Sequence, residues 1–122
     1  MQDMNYTADE LKTIIAEAKT AAAQAAQDYV ADWTAKTGGN QYGEPMYCGF
    51  AWTSIYKVKG NTQLGRALVA AGVRQSYDRS FQLYNPAGWH GQSMDVKEAG
   101  ARAAALVLRK YGFEAYMGSR AD

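Results

Sequence analysis

Met46-Tyr-Cys-Gly-Phe-Ala-Trp-Thr-Ser-Ile-Tyr-Lys-Val58 is the most apolar, aromatic and β-prone run in the chain, and its reading decides the fold. Met46, Cys48, Phe50 and Trp52 carry bulk at every second position, while Gly49, Ala51 and Thr53 between them are small. A two-residue period with unequal faces is the pattern of a strand. The strand is expected at the centre of the only sheet, its bulky face making core and its small face letting a helix or a ligand approach the backbone. A site on it would have Gly49, Ala51 and Thr53 as floor, with Lys57 and Lys59 at the rim.

Toward the N-terminus, Thr7 and Glu10 have the spacing of a capping box, flanked by Tyr6 and Leu11 as a hydrophobic staple. The helix that starts there ends at Thr37-Gly38-Gly39. Leu11, Ile15, Ala18, Ala22, Ala25, Tyr29 and Trp33 recur mostly at steps of four and three, a coiled-coil-like seam. Such a helix is about 43 Å long at 1.5 Å per residue, whereas a compact domain of this length is about 35 Å across. The 7–37 helix is therefore expected to overhang its domain and, through its alanines, to hold a second copy in a homo-oligomer. The alternative is a bend at Ala21-Ala22-Ala23 that folds it back over the sheet.

Toward the C-terminus, Gly60-Asn61 offers a turn and an N-cap for a short helix with Leu64, Ala67, Leu68 and Ala71 on one face. A second strand is expected near residues 80–84, with Phe81 and Leu83 inward, and Asn85-Pro86-Ala87-Gly88 breaks it. Ser93 caps a helix whose core face reads Val96, Ala99, Gly100, Ala103, Leu106, Val107 and Tyr111. The last strand is expected over 113–117. The fold class is α+β or small α/β: a long N-terminal helix, then a three-stranded sheet packed with two further helices, in one domain over 1–122 with the body at 46–122. Helical crossovers favour at least one parallel pair of strands, with an all-antiparallel sheet as the alternative.

Composition narrows the classes of function. At 48% hydrophobic and 20% charged, the 122-residue chain suits one soluble globular domain. No apolar run approaches the roughly 20 residues of a membrane span, and the first ten residues lack the features of a leader, so no membrane partner and a cytoplasmic location are expected. Cys48 is the single cysteine and His90 the single histidine, which allows no internal disulfide and gives no ligand set for a metal. No cofactor and no catalytic residue is assigned. A thiol mechanism would need Cys48 and His90 together, but Cys48 falls on the expected core face of its strand. An enzyme with a cleft around Cys48 and Lys57 remains the alternative.

Residues 1–45 hold three Lys/Arg against seven Asp/Glu, and residues 46–122 hold ten against five. An acidic leading helix and a basic body would suit head-to-tail contacts or an anionic ligand, or leave two solvated faces. Lys57, Lys59, Arg66, Arg74 and Arg79 crowd the 57–79 segment, and Lys57-Val-Lys-Gly-Asn61 leads into a helix N-terminus, where an anion is attracted. Tyr56, Tyr77, Tyr84 and Trp89 flank the segment and could stack on bases, so nucleic-acid binding through 57–79 is a further alternative. Nine tyrosines and three tryptophans exceed what a core of this size needs, which places some rings at an interface or in a cleft. Gln92, Lys97, Ser119 and Arg120 would join such a cleft if the last strand neighbours the first; fraying of the 119–122 tail is the alternative.

Cys48-Gly-Phe-Ala-Trp52, Gln92-Ser-Met-Asp-Val-Lys-Glu-Ala99, Leu108-Arg-Lys-Tyr-Gly112 and Ala115-Tyr-Met-Gly-Ser-Arg-Ala-Asp122 resemble motifs of a family of small bacteriophage proteins without an assigned activity. The resemblance covers about 46–122 and departs at the Asn85-Pro86-Ala87-Gly88 turn. It implies a phage-encoded protein made in the bacterial cytoplasm. The expected function is that of a non-enzymatic accessory protein, homo-oligomeric, binding a small anionic or nucleotide-like ligand or a host protein, with counter-defence as one such role. Its candidate ligand-binding residues are Gly49, Ala51, Thr53, Lys57, Lys59, Asn61, Trp89, Gln92, Lys97, Ser119 and Arg120.

Overall fold

A computed structural model describes residues 5–122 of the chain; the first four residues, which enter the leader reading above, lie outside it. Its elements are α1 (Ala8–Thr37), β1 (Gly49–Tyr56), α2 (Gln63–Ala70), β2 (Arg74–Gln75), β3 (Phe81–Tyr84), α3 (Met94–Lys110) and β4 (Glu114–Ala121). The four strands form one antiparallel sheet in the order β2-β3-β1-β4, so β1 is central as its composition requires.

The expected parallel pair is absent from the sheet, for a topological reason. β3 and β4 both run opposite to β1 and therefore parallel to each other, and α3 is the crossover between them, with β1 inserted in the gap. Likewise α2 joins β1 to β2, which run the same way on either side of β3. After α1 the chain is thus a β-α-β-β-α-β unit with the strand order and directions of a ferredoxin-like split βαβ fold. The expectation of three strands missed β2, which is two residues long and too short to show a period.

α1 has the expected capping box: Thr7 accepts from the Glu10 N–H at 3.1 Å, and Glu10 accepts from the Thr7 N–H at 2.9 Å. Gly38 ends it in the left-handed region at φ 83°. Tyr6 stacks on Phe113 at 5.9 Å and donates its hydroxyl to the Tyr111 carbonyl at 2.8 Å, tying the helix start to the far end of α3. The helix runs unbroken through Ala21-Ala22-Ala23, and Ala18 and Ala22 are already covered within this one chain. Leu11, Ile14, Ile15, Ala18, Ala22 and Ala26 are buried within this one chain, packed against α3. At the crossing, a Cβ on Gly100 would stand 3.2 Å from the Ala22 carbonyl and 2.6 Å from the Ala87 Cβ, so only glycine admits this approach. Beyond Ala26 no residue of α1 is buried, and the helix overhangs as its length requires.

The buried face of α3 is Val96, Lys97, Gly100, Ala101, Ala104, Ala105 and Leu108. It is turned relative to the expected face, because α3 is wedged between α1 and the sheet and buries a wider arc than a helix packed on one side only. Leu106, expected in the core, is 58% exposed. The core joins Leu11, Ile14 and Ile15 of α1 to Leu68, Val73, Phe81, Leu83, Leu108, Phe113 and Ala115.

Candidate functional site

The small face of β1 admits a helix, one of the two occupants expected for it, whereas the bulky face, expected to make core, faces away from the helices. Gly49, Ala51, Thr53 and Ile55 are buried and face the helices. Their small size lets α3 come close: the Thr53 hydroxyl donates to the Ala101 carbonyl at 2.7 Å, and the Lys97 ammonium donates to the Gly49 carbonyl at 2.9 Å. Ala51 and Thr53 have no exposed surface, so the proposed floor is the underside of a helix and not open to a ligand. A helix needs close approach more than bulk, and it took the small face.

The bulky face is open. Register places Phe50, Trp52, Ser54 and Tyr56 of β1 beside Gln82 and Tyr84 of β3 and Glu114, Tyr116, Gly118 and Arg120 of β4, all on the side that no helix covers. Tyr84 is 61% exposed and Tyr116 47%. Phe50 lies 6.4 Å from Tyr84, and Tyr56 lies 6.1 Å from Tyr116. Arginines are set on this array: the Arg120 guanidinium is 5.8 Å from the Phe50 ring, and that of Arg109 is 4.5 Å from the Tyr116 ring. Trp52 lies across Gly118, where a Cβ would be 2.5 Å from the indole nitrogen.

A depression of about 510 Å3 follows this face, walled by Phe50, Trp52, Tyr56, Tyr84 and Arg120 and by the 76–78 turn, whose Tyr77 is fully exposed. At Tyr56 and Asp78 it meets a second hollow lined by Lys57, Lys59 and Arg79. That hollow continues past Lys59 and Arg79 to Asn61 and Gln75. One surface track therefore joins Arg120, the aromatic array, Lys57, Lys59 and Asn61. Lys57 is partly neutralised by Glu114 at 3.1 Å. The N-cap of α2 is Thr62 rather than Asn61, since the Thr62 hydroxyl accepts from the Gly65 N–H at 3.1 Å.

Three other candidates are gathered away from that track, around a carboxylate that the sequence reading did not single out. Glu44 accepts from the Trp89 indole N–H at 2.7 Å and from the backbone N–H groups of Gln92 and Ser93 at 2.8 and 3.2 Å. It fills the N-terminus of α3 as a bound anion would. Partial burial pushes its carboxyl up, but these three hydrogen bonds and the nearby Lys97 ammonium outweigh that and hold it below its ordinary range. The Trp89 indole and the Gln92 backbone are thus engaged by Glu44, and the Lys97 ammonium by the Gly49 carbonyl. Ser119 donates to Glu98 at 2.5 Å and so belongs to the α3 contact. The 119–122 tail does not fray: residues through Ala121 belong to β4, and Asp122 still donates its N–H to the Cys48 carbonyl at 3.1 Å.

Cys48 is half-buried at the entry of β1, not in the core, and Lys57 lies beyond the strand's other end, about 30 Å away at 3.3 Å per residue, so no cleft unites them. His90 is exposed in the 85–92 loop. Among the described residues no group of acidic, histidine or cysteine side chains is arranged to hold a metal ion. Among the described residues no helix is long and apolar enough to cross a membrane. The antiparallel sheet is thus covered by helices on one side and carries exposed aromatic and cationic side chains on the other. No protein-family model, curated protein or solved structure matches the chain.

Proposed function

We propose that this is a non-enzymatic binding protein whose open sheet face stacks the bases of a short single-stranded nucleic acid. The observation that carries the reading is the array of half-buried Phe50 and Trp52 with exposed Tyr56, Tyr84 and Tyr116 beside Arg120, continuous with a track of Lys57, Lys59 and Arg79. Aromatic rings take the faces of bases and a cationic groove takes the phosphates. Four-stranded split βαβ domains that bind RNA use aromatics on this face of their central strands, an analogy of fold and not of descent. The basic 57–79 segment supports the reading, with the aromatic face as its larger part. That the protein is phage-encoded and made in the bacterial cytoplasm follows only from the resemblance of the motifs.

A free nucleotide is the second reading, favoured by the depression of about 510 Å3, a size usual for small-molecule sites. Titrating the protein with fluorescent oligo-dT, oligo-U and mononucleotides at low salt separates the two. Oligonucleotides should bind with an affinity that falls steeply as salt rises. Tyr84→Ala should weaken binding about fivefold or more, since a base stacked on one ring contributes about 1–3 kcal/mol. Equal affinity for mononucleotides and oligonucleotides would favour the free nucleotide, and no binding of either at low salt removes both.

A further inference from the structure

We infer that a second copy of this chain adds to the free edge of β4, antiparallel, about a two-fold axis at Met117. The inference stands apart from the nucleic-acid reading and needs none of it.

The sheet has two unlike edges. β2 is blunted by its length of two residues, whereas β4 runs for eight. Asp122 donates to Cys48, so the even positions of β4 exchange hydrogen bonds with β1, and Ala115, Met117, Ser119 and Ala121 turn their N–H and carbonyl groups outward. Among the described residues one side chain meets this row: Arg109 donates to the Ala115 carbonyl at 2.6 Å. An exposed row of this length is a template for another strand, and proteins usually blunt it. Here it is left open.

Charge selects the occupant and the register. With Met117 opposite Met117, Glu114 of each copy faces Arg120 of the other, Tyr116 faces Gly118, and Ala115 faces Ser119. Both ends of the interface are then opposite-charge pairs. Sliding by one step toward the C-terminus puts Glu114 opposite Asp122 at both ends, which like charge disfavours. The Ala115 carbonyl has a second lone pair and can accept the incoming Ser119 N–H while keeping Arg109.

The helices fit the same axis. α3 packs on both β1 and β4, so equivalent helices of two copies lie about 10 Å apart for strands spaced near 4.8 Å, which is helix-packing distance. Glu98 and Arg109 both reach β4, so the side of α3 that carries them overlooks the edge. Leu106, 58% exposed, lies beside that stripe and would be covered. The product is one eight-stranded sheet with both aromatic faces on the same side.

The test is the mass in solution by sedimentation equilibrium, expected at twice the 13.3 kDa of one chain. Met117→Pro removes an outward N–H, a place where an edge strand tolerates proline, together with a half-buried side chain; it should sediment as a monomer with unchanged circular dichroism. Arg120→Glu should weaken association about tenfold through two like-charge pairs, and the double exchange Glu114→Arg with Arg120→Glu should restore it. In the wild-type dimer the amides of Met117, Ser119 and Ala121 should be protected from hydrogen exchange, and dilution should remove that protection. A wild-type chain that sediments as a monomer at all concentrations overturns the inference, as does a dimer that survives Met117→Pro or leaves those amides unprotected.

Discussion

Glu44→Ala tests whether one carboxylate holds the 38–48 loop onto α3. The side chain accepts three hydrogen bonds, from the Trp89 indole and the Gln92 and Ser93 amides. Hydrogen bonds to a charged group contribute about 1.5–3 kcal/mol each, but the Gln92 amide is solvent-exposed and regains water, so a net loss of about 2–3 kcal/mol is expected. At roughly 0.25 kcal/mol per degree for a domain of this size, that lowers Tm by about 8–12 °C. Circular dichroism melting of the two proteins at neutral pH is the assay. The pH dependence supplies a second check. The folded carboxyl is held below its ordinary value of 4.5, so its contribution is fully present above that value and is lost as the pH falls through the folded one. The gap between wild type and variant should therefore narrow once the pH drops under 4.5. A Tm change under about 2 °C at neutral pH would falsify the assignment of Glu44 as the anchor, given the size of effect that such bonds carry.

Three further outcomes follow from the packing. Gly100→Ala gains about 1 kcal/mol of helix propensity but forces a Cβ to 2.6 Å from that of Ala87, so urea denaturation should show a net loss of about 1 kcal/mol, overpacking being the larger effect; a stabilised variant would refute the close packing of the Ala87 turn on α3. Thr53→Val keeps the shape and removes the hydroxyl bond to Ala101, which should cost about 1 kcal/mol in the same assay; no loss would mean that the bond contributes nothing. Gly118→Ala should displace the Trp52 indole, seen as a red shift in tryptophan emission together with weaker oligonucleotide binding; unchanged emission would show that the indole does not lie across Gly118.

The helices were legible in the sequence because their signals are local. Thr7, Glu10 and Gly38 mark α1 at both ends, and Ser93 starts α3 as its position predicts. The face of α3 was not legible, since its burial depends on α1, which arrives from 90 residues away in the chain. The faces of β1 were read correctly as unequal, and a helix does approach the small one; the core was assigned to the wrong face. Bulk at Phe50 and Trp52 suggests core, but a sheet buries whichever face its helices can approach, and the small residues decided that. The surplus of aromatic residues was the better signal, because rings that a core cannot hold must be shown somewhere. Glu44 had no signal beyond standing before Pro45. The split crossover was hidden as well: a helix between two strands shows that they run parallel, and not that a third strand lies between them.

The α1–α3 pairing also has a consequence for how the protein is made. Tyr6 bonds to Tyr111, and Glu17 to Lys110 and Tyr111. Synthesis proceeds from the N-terminus at about 5–20 residues per second, so α1 leaves the ribosome several seconds before its partner helix exists. During that interval Leu11, Ile14 and Ile15 have nothing to cover them, and β1 waits for both of its neighbours. The longest helix and the central strand precede their partners α3 and β4 in the chain, and their packing is completed only once those partners exist. In that interval the earlier segments are the ones a chaperone would meet.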